Sequence, residues 1–408
     1  MDKYLVVNAG SSSLKFTLYE LNGEKEIISG NVEKIGLKDS FYTVKLNGEK
    51  IKKEVYCKDH TTATKEMLQA LIETKTIESL DEIKGIGNRV LHGGEKYSDS
   101  VIITDEVIED IKSLTKLGPL HHPGALDVIR GLKEILSDVP MVAVFDTAFH
   151  QTIPEENYMY SVPIEWYQKY GVRKYGFHGT SHKYITEVMK EKLGRDDVNL
   201  IICHIGSGAS ICAVKDGKSY DTTMGLTPLD GLMMGTRSGS IDPSIIEYVC
   251  KESGNSIEDI MRSLNNNSGL IGMSGKSDLR DVDALAQSGD KNAALALTIY
   301  RNSIVKYITM YNAQLDGEVD AIVFTAGAGE NSIIMRKLVL EKLSKSMHNI
   351  IFDKELNENI ASFKNFQEGN LSTGILPVFV IPTNEEVMIL RDTIRLIEKE
   401  NGKTLILK

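Results

Sequence analysis

The pattern of apolar and polar positions along the chain occurs twice. Residues 4–19 and 199–214 each contain a short apolar run, a turn of small residues and a second apolar or alternating run. When Gly10 and Gly206 are aligned, the two copies lie about half of the 408-residue chain apart. A repeat at that distance predicts two similar domains rather than a solenoid of short repeats. Two unrelated hairpins, in which Gly and Ser serve only the turns, are the alternative.

Strands are predicted where apolar residues alternate with polar ones or run together between turn residues. Besides the two copies, these stretches are residues 41–46, 51–56, 83–91, 141–145, 320–325 and 376–381. The pair Asn47-Gly48 between the first two of them is a strong hairpin signal. The apolar stretch 141–145 runs into Asp146, and a buried strand rarely ends on a carboxylate that has no partner.

Helices are predicted where apolar residues recur at helical spacing. These stretches are residues 61–73, 105–114, 124–136, 181–193, 244–251, 257–264 and 292–315, a helix behind residue 331, and a closing helix that ends at Glu400. We predict that Thr61 or Thr62 caps the first helix and that Thr180 or Ser181 caps the fourth. Strands that alternate with helices predict an α/β sheet, whose ligands bind beyond the carboxyl ends of the strands.

The length of the chain predicts two or three domains, because a single core stops growing beyond about 300 residues. We place the first domain at residues 1–150 and add a closing C-terminal helix within about 383–408. The second domain is placed at residues 151–382.

Composition and charge narrow the class of protein. With 41% hydrophobic and 25% charged residues, the chain has the composition of an ordinary globular protein. The formal net charge of −10 argues against binding to nucleic acid or to membrane surfaces. No stretch approaches the ~18 apolar residues that span a bilayer, and the first residues do not form a secretory signal. The four cysteines form no CxxC pair, so we expect reduced thiols in a cytoplasmic enzyme.

Three glycine turns follow predicted strands, at Gly10, Gly206 and Gly327. None of them matches a P-loop, because no Gly-x4-Gly-Lys-Ser/Thr is present, and none completes a dinucleotide fingerprint. Backbone N–H groups in such turns can approach phosphate oxygens closely. Three of them in a duplicated α/β chain predict a nucleotide-phosphate cleft.

Two arginines and two histidines are candidates for chemistry. Arg89 and Arg237 lie in glycine-flanked segments, where a guanidinium could clamp carboxylate or phosphoryl oxygens. A solvated or salt-bridged surface arginine is the alternative for each. His178 and His121 are either functional or ordinary core and turn histidines.

Oxygen donors follow strands at both ends of the chain. Asn8 and Glu385 are residue types that suit Mg²⁺, which takes only one or two protein carboxylates and keeps several waters. Ordinary turn and helix-cap chemistry is the alternative. The segment Ser277–Asp281 is equally well explained as a helix cap with a charge pair.

Taken in their order along the chain, these segments resemble the acetate kinase family. The carriers are VVNAGSSSLKF (6–16), NRVLHGGEKY (88–97), GPLHHPG (118–124), VFDTAFHQTIP (144–154), YGFHGTSH (175–182), CHIGSGAS (203–210), MGTRSGSIDP (234–243), FTAGAGEN (324–331) and IPTNEE (381–386). The resemblance implies the duplicated, ribonuclease H-like fold of sugar kinases, actin and the Hsp70 ATPase domain, with two domains around a cleft. It also implies reversible transfer of the ATP γ-phosphoryl group to acetate, giving acetyl phosphate and ADP, with Mg²⁺ (or Mn²⁺) as cofactor.

The resemblance implies roles for particular residues and domains. The catalytic and metal roles fall to Arg89 (acetate), Asp146 (catalysis), His178 and Arg237 (transition state), and Asn8 and Glu385 (magnesium). The nucleotide contacts fall to Lys15, His204, Ile205, Gly206, Ser207, Gly208, Asp278, Leu279, Arg280, Gly327, Ala328, Gly329, Glu330 and Asn331. The acyl pocket falls to Leu91, Leu120, Phe177 and Pro228. The first domain would bind the acyl substrate, and the second would bind nucleotide and form a homodimer.

The chain departs from the family pattern at three places. Ser207 stands where the family usually has Asn, which removes one amide donor to a phosphate. Ser240 replaces the usual Asp after Arg-Ser-Gly, and the stretch from Gly275 to Asp278 is one residue short. Leu91 is bulkier than the usual valine, which predicts a tighter methyl pocket and a modest preference for acetate over propionate.

The implied chemistry explains the residue types. A carboxylate nucleophile is already ionised near neutral pH, so the site must relieve the repulsion between two anions rather than supply a strong base. We therefore expect direct in-line transfer, with Asp146 orienting the substrate or a metal-bound water. The rival functions are a propionate kinase of the same family and an ATP-driven switch of the actin or Hsp70 type.

Overall fold

The computed structural model describes residues 2–119, 121–360, 367–400 and 402. The chain folds as two units, Met1–Gln151 with Asn384–Lys408, and Thr152–Thr383. Each unit has its own mixed sheet with helices packed against it. None of the described helices is long and apolar enough to cross a bilayer. The assignment of the acyl substrate to the first domain and of the nucleotide to the second stays a prediction.

Strands and short helices follow one another throughout both units. The strands are β1 Lys3–Ala9, β2 Ser13–Glu20, β3 Lys25–Glu33, β4 Phe41–Leu46, β5 Glu49–Glu54, β6 Ile83–Val90, β7 Val101–Ile102, β8 Met141–Phe145, β9 Leu200–Ile205, β10 Ala209–Lys215, β11 Lys218–Thr222, β12 Ala321–Thr325, β13 Gly369–Asn370 and β14 Val378–Val380. The helices are α1 His60–Glu73, α2 Asp105–Ser113, α3 His122–Ile135, α4 Glu155–Tyr158, α5 Ile164–Tyr170, α6 Gly179–Leu193, α7 Ser244–Ser253, α8 Ile257–Asn266, α9 Gly269–Ser274, α10 Leu279–Gln287, α11 Lys291–Gln314, α12 Ala326–Asn331, α13 Ile333–Leu343, α14 Lys354–Asn359 and α15 Glu385–Glu400.

The two sheets share a central topology. The first sheet has the strand order β5-β4-β3-β2-β1-β6-β8-β7, and the second has β11-β10-β9-β12-β14-β13. In each, three antiparallel strands (β3-β2-β1 or β11-β10-β9) are followed by two parallel strands (β6-β8 or β12-β14). The repeat in the sequence is therefore a repeated supersecondary unit, and the prediction of a duplicated α/β fold is confirmed.

Two predicted helix caps are wrong. Helix α1 is capped by Asp59 rather than by Thr61 or Thr62, because the Asp59 carboxylate accepts a hydrogen bond from the Thr62 N–H at 2.7 Å. The residue before α6 is His178, not Thr180 or Ser181, and it makes no side-chain cap bond. Its φ of 57° lies in the left-handed region, which a non-glycine residue occupies only when its surroundings hold it there.

The Asn47-Gly48 hairpin forms as predicted, but the strand after it begins earlier than expected. Both turn residues have positive φ, 51° and 84°, as a two-residue hairpin turn requires. The turn therefore uses only these two residues, and β5 begins at Glu49 instead of residue 51.

Helix α15 packs on β1, β6 and β8 of the first unit. The contact is close: a Cβ on Gly87 would lie 2.4 Å from Thr393 Oγ1 and 2.6 Å from Ile389 Cγ2. A larger residue at Gly87 would push the helix away from the strands, and Gly85 has a similar neighbour in the same helix. This packing fixes the position of Glu385, the first residue of α15, against the sheet.

Helices α1 and α3 cover the opposite face of that sheet. Ile86, which lies between the two glycines of β6, joins a buried cluster with Met67, Leu71 and Val128. Successive residues of a strand point to opposite faces, so α15 and the α1–α3 pair lie on different sides of β6. The parallel strands are thus buried on both faces, and their carboxyl ends are left to carry polar side chains.

Candidate active site

The carboxyl ends of β1, β6 and β8 bring three polar side chains together. The strands are parallel neighbours whose register puts Asn8 beside Arg89, and Asp146 directly follows β8. Arg89 Nε donates to Asp146 Oδ1 at 3.2 Å and Nη2 donates to Oδ2 at 2.5 Å, while Nη1 donates to Asn8 Oδ1 at 3.3 Å. The carboxylate that ends the buried strand therefore has a partner, and the guanidinium is held in a two-bond fork.

Charges in this cluster shift the pKa values of two of its members. Burial works to lower the pKa of Arg89, but the charges of Asp146 and Glu385 outweigh it, so the pKa is raised and the guanidinium stays charged. For Glu385, burial is the main cause and raises the pKa to about 7. The charge of Asp146 adds to this rise, and the charge of Arg89 opposes it. Two carboxylates therefore repel each other at this edge, and a bound cation would relieve that repulsion.

The oxygen atoms at this edge fit a hard cation. Asn8 offers an amide oxygen, and Asp146 and Glu385 offer carboxylate oxygens, the ligand types that Mg²⁺ prefers. The described residues contain no group of three or more His, Cys, Asp or Glu that could hold a metal ion. A cation here would therefore need water or phosphate oxygens as further ligands, as Mg²⁺ commonly does.

Lys15 belongs to the same edge. It lies on β2 directly opposite Asn8 in the antiparallel register, and it is exposed. Its charge lowers the pKa of Glu385, against the larger effect of burial. Among the described residues of the first unit, Lys15 forms no ion pair with these carboxylates, so its ammonium group is available beside them.

The second unit brings two N–H-bearing side chains to the turn between β9 and β10. The turn is closed by a hydrogen bond from the Gly206 N–H to the Gly208 carbonyl at 3.1 Å. A Cβ on Gly208 would lie 3.3 Å from Arg237 Nη1 and 3.5 Å from His178 Nε2. The absence of a side chain at Gly208 therefore leaves a small space that the guanidinium and the imidazole both border.

Arg237 differs from Arg89 because no carboxylate neutralises it among the described residues. Its Nη1 donates to the Pro228 carbonyl at 3.2 Å and lies 3.8 Å from Met234 Sδ. Burial lowers the pKa of Arg237. A partly desolvated cation without a counter-charge favours the binding of an anion, and a guanidinium suits phosphoryl oxygens.

His204 and Ile205 support the turn from behind. Both are buried at the end of β9. The His204 ring stacks on that of His178 with the centroids 4.1 Å apart, and its Nδ1 is 2.8 Å from Ser181 Oγ. Sequence reasoning predicted these two residues as nucleotide contacts, but the structure places them outside the lining of the neighbouring pocket.

A pocket of about 390 Å³ begins at the glycine turn of the second unit. It is lined by most of the predicted nucleotide residues, namely Gly206, Ser207, Gly208, Asp278, Leu279, Arg280, Gly327, Ala328 and Asn331, and by Arg237. It is also lined by residues that the sequence analysis missed, namely Gly235, Thr236, Leu270, Ser277, Tyr300 and Ser332. Tyr300 is a buried residue of α11, and helical spacing alone gave no sign that it borders a pocket.

Asp278 and Arg280 form a helix cap and an ion pair, and both residues also line the pocket. The Asp278 side chain accepts a hydrogen bond from the Arg280 N–H at 2.9 Å and so caps α10. Its other oxygen pairs with the Arg280 guanidinium at 2.6 Å. Because both residues also line the pocket, the cap and the ion pair together form part of its wall.

The turn after β12 is held from within the second unit. Glu330 Oε1 accepts hydrogen bonds from the Ala326 N–H at 2.7 Å and from the Thr383 N–H at 3.0 Å. Arg336 is fully buried and donates to the carbonyls of Gly329 and Glu330 at 2.9 and 2.7 Å. Gly329 and Glu330, which we predicted as nucleotide contacts, therefore shape the turn and do not line the pocket.

The predicted acyl-pocket residues are distributed over both units. Leu91 follows β6 and Phe177 precedes α6, and both side chains are buried. Pro228 supplies the carbonyl that accepts from Arg237. Leu120 lies outside the described residues. Leu91 packs against Gly118, where a Cβ would lie 3.3 Å from Leu91 Cδ2.

His122 is a fully buried residue that sequence reasoning passed over. His121, the histidine we considered, makes no side-chain cap bond before α3. The His122 Nδ1–H donates to the Ile111 carbonyl at 3.0 Å, and Nε2 accepts from the His92 N–H at 3.2 Å. These two bonds require the neutral ring, and burial lowers its pKa despite the bond to Ile111.

We expect His122 to make the protein less stable in acid. Because its folded pKa lies below its unfolded value of about 6.5, the unfolded chain binds the proton first as the pH falls through that value. The free energy of unfolding should therefore fall from pH 7.5 to pH 5.5, by about 1.4 kcal/mol at most, because pH 5.5 lies about one unit below the unfolded pKa. Urea unfolding at both pH values should show a smaller loss for His122→Gln than for wild type. His348→Gln, at an exposed histidine, should lose as much stability as wild type, and equal losses in all three proteins would contradict this assignment.

The duplicated α/β fold, a glycine turn bordered by a guanidinium, and an adjoining pocket are features of an ATP-dependent phosphotransferase with the actin-like ATPase fold. The model of the acetokinase family matches residues 3–391. The chain belongs to the acetokinase family.

Relatives of known name agree with this over nearly the full length. The acetate kinase of Bacillus cytotoxicus is 52% identical over 401 residues, which cover 97% of this chain and 99% of that protein. The crystal structure of Porphyromonas gingivalis acetate kinase matches with a TM-score of 0.91 at 41% identity, over 97% of this chain and 100% of that one. A propionate kinase from Francisella tularensis matches with a TM-score of 0.90, also at 41% identity, over 97% and 100% of the two chains.

Proposed function

We propose that the protein is an acetate kinase that transfers the γ-phosphoryl group of ATP to acetate reversibly, giving acetyl phosphate and ADP, with Mg²⁺ as cofactor. Family membership supports the reaction class. The observation that carries the proposal is the guanidinium of Arg237, which has no carboxylate partner in the described part of the chain and borders the same small space as His178 and Gly208. That arrangement suits a transferring phosphoryl group, because its negatively charged oxygens are stabilised by N–H donors.

In the second unit, we assign the nucleotide to the 390 Å³ pocket. The N–H groups of the Gly206–Gly208 turn would bind phosphate oxygens, and the wall formed by Asp278 and Arg280 would face the adenosine. Ser207 supplies a hydroxyl in place of the amide that the family usually has there. Arg237 and His178 would stabilise the phosphoryl group as its charge redistributes.

In the first unit, we assign the acetate carboxylate to Arg89. Two of its donors are already used by Asp146 and one by Asn8, so the substrate would bind to the remaining N–H directions. Asp146 would then act mainly by fixing the guanidinium, which revises our expectation that it orients substrate or water directly. Because acetate is ionised at neutral pH, no residue of the first unit has to remove a proton from it.

The same edge would hold the cofactor. Asn8, Glu385 and, when not fully engaged by Arg89, Asp146 would bind Mg²⁺, with Mn²⁺ as a second candidate of similar ligand preference. The bound ion would neutralise charge on the phosphate oxygens of ATP. Lys15, on the neighbouring strand, would add a positive charge for the nucleotide phosphates.

The activity is tested by trapping the product. Incubation of the protein with ATP, Mg²⁺ and acetate should form an acyl phosphate that hydroxylamine converts to a hydroxamate. Release of ADP that does not depend on acetate, with no hydroxamate, would favour an ATPase switch over a kinase. Omission of Mg²⁺ should abolish hydroxamate formation.

Propionate kinase activity is the second candidate, because a solved propionate kinase matches this chain as well as a solved acetate kinase does. The bulky Leu91 side chain favours acetate. One methylene in an apolar pocket changes the specificity by about 10- to 200-fold at most, so both substrates should react. The ratio of the kcat/KM values for acetate and propionate decides between the two activities.

We also propose that the protein acts in the cytoplasm as a homodimer formed through the second domain. Exposed apolar side chains on neighbouring helices α7 and α8, namely Ile245, Tyr248 and Ile257, support an interface there. Light scattering on the purified protein should give twice the 45.2 kDa mass of the chain. The thiols Cys57, Cys203 and Cys212 are buried and free, as a reducing compartment allows.

A further inference from the structure

One serine hydroxyl lies between two histidines in the second unit. Ser210, on β10, is fully buried, and its Oγ is 2.9 Å from His178 Nδ1 and 2.9 Å from His182 Nε2. His182 lies one turn into α6, and His178 immediately precedes that helix. The helix and the strand therefore bring a nitrogen of each ring within hydrogen-bond distance of one oxygen atom.

The hydroxyl has a single proton, which limits the arrangements of this group. If Ser210 donates to one imidazole nitrogen, the other imidazole must donate to Ser210 for both bonds to form. In the first arrangement, His182 Nε2–H donates to Ser210 and the Ser210 hydroxyl donates to His178 Nδ1. In the reverse arrangement, His178 Nδ1–H donates to Ser210, which donates to His182 Nε2.

The two arrangements differ at the nitrogen of His178 that faces the glycine turn. His178 Nε2 is the ring atom 3.5 Å from the position of a Cβ on Gly208. In the first arrangement, the neutral His178 ring carries its proton on Nε2 and offers an N–H to that space. In the reverse arrangement, the neutral ring presents a lone pair there, which would repel a phosphoryl oxygen.

A charged His178 would also present an N–H, but the guanidinium of Arg237 beside it disfavours a second cation. Arg237 Nη1 borders the same space, 3.3 Å from the same Cβ position, and like charges at such a distance favour the neutral imidazole. The His204 ring stacked on His178 is a further titratable group beside it. The first arrangement supplies the N–H without adding charge.

The plane of the His178 ring is fixed as well. The stacked His204 ring is anchored through Nδ1 to Ser181 Oγ, which lies 2.7 Å from Thr383 Oγ1. The left-handed backbone conformation of His178 sets the direction in which its side chain leaves the chain. Each of the two rings is hydrogen-bonded to a serine hydroxyl, which restricts its rotation. This favours one fixed direction for the His178 Nε2–H.

We propose that Ser210 and His182 are positioning residues for phosphoryl transfer, and that they hold His178 as the neutral imidazole whose Nε2–H points to the transferring phosphoryl group. This inference rests on the proposed function, because it assigns the reacting group to the space beside Gly208. The simple alternative is that Ser210 only satisfies the polar atoms of two buried rings.

The kinetic test replaces the hydroxyl. Ser210→Ala should lower kcat by about 10- to 100-fold, less than the ~100- to 1,000-fold effect of removing a transition-state donor outright. KM for ATP and for acetate should change by no more than about threefold, because the bound ground states do not depend on the tautomer. Ser210→Thr, which restores the hydroxyl, should recover most of the lost turnover.

Matched variants separate this role from a structural one. Thr222→Val removes another fully buried hydroxyl of the same sheet, one that donates only to the Ile211 carbonyl, and should keep kcat within about twofold. His182→Gln retains a side-chain N–H donor and should keep more turnover than His182→Leu. A Ser210→Ala enzyme with wild-type kcat, or one that Ser210→Thr does not rescue, would overturn the proposal.

A spectroscopic measurement tests the tautomer without turnover. In protein with ¹⁵N-labelled histidine and bound MgADP, the His178 signals, assigned by their loss in His178→Gln, should show the proton on Nε2. Ser210→Ala should show a mixture of tautomers. A proton on Nδ1 in wild type would overturn the proposal even if acyl phosphate forms. If no acyl phosphate forms and the Nε2–H tautomer is found, the proposed reaction fails but the hydrogen-bond arrangement stands.

Discussion

Replacement of Arg237 by alanine is expected to lower kcat by about 100- to 1,000-fold, with KM for acetate changed by no more than about threefold. The guanidinium borders the space at Gly208, and no carboxylate of residues 2–119, 121–360 or 367–400 pairs with it, so its charge is available to the phosphoryl group. That group gains most from a fixed cation in the transition state. Steady-state kinetics in the direction of acetyl phosphate formation measure both constants.

The stability of the Arg237→Ala protein provides an independent check. Removal of a partly buried cation that has no counter-charge should leave the unfolding midpoint unchanged or raise it slightly. Arg237→Lys keeps the charge but loses the planar fork, and should recover only part of the turnover. Arg262→Ala, at an exposed arginine on α8 that pairs with Asp259, serves as the control with wild-type kinetics. A kcat within threefold of wild type for Arg237→Ala would exclude the proposed role.

Replacement of Arg89 by alanine is expected to have two effects. It should raise KM for acetate by about 10- to 100-fold, the value of a charged hydrogen bond of about 1.5–3 kcal/mol. It should also lower the free energy of unfolding by about 3–5 kcal/mol, because Asp146 is 1% exposed and would lose the partner of its charge. Acetate titrations and urea unfolding measure the two effects separately.

A double variant distinguishes the structural part of this effect from the catalytic part. In Arg89→Met combined with Asp146→Leu, the buried ion pair is removed as a whole and Asp146 leaves no unpaired charge, so stability should return to within about 1 kcal/mol of wild type. Activity should remain as low as in Arg89→Ala or lower, because the arginine that binds acetate and the aspartate that holds it are both absent. An Arg89→Ala protein with wild-type stability would show that the ion pair between Arg89 and Asp146 does not form in solution.

The sequence located much of the candidate site because the site depends on strand ends and turns. The register of neighbouring parallel strands brings Asn8 and Arg89 side by side, and Asp146 ends the next strand, as the apolar run at 141–145 indicated. The turn at Gly206 and the turn after β12 were visible as small-residue segments that follow apolar runs. Such signals are local, and within each sheet the strand order then places that sheet's own signals at one edge.

The sequence did not locate contacts that depend on packing between distant elements. Tyr300 reaches the pocket from the middle of α11, and Ser210 on β10 lies within hydrogen-bond distance of His182 on α6. The buried fork between Arg89 and Asp146 joins residues 57 positions apart. The family resemblance implied separate roles for these two residues, and only the geometry showed that the Asp146 carboxylate accepts two hydrogen bonds from the Arg89 guanidinium.

By itself, the sequence determined the duplication, the α/β class, the glycine turns and the family, because these follow from periodicity and from motifs that are contiguous in the chain. The tertiary structure decided which charges are compensated. Arg89 has a carboxylate within hydrogen-bond distance, whereas Arg237 donates to the Pro228 carbonyl and has none among the described residues. That distinction depends on distances between side chains from separate elements, and it is the reason that the loss of one arginine should cost mainly stability and acetate binding and the loss of the other mainly turnover.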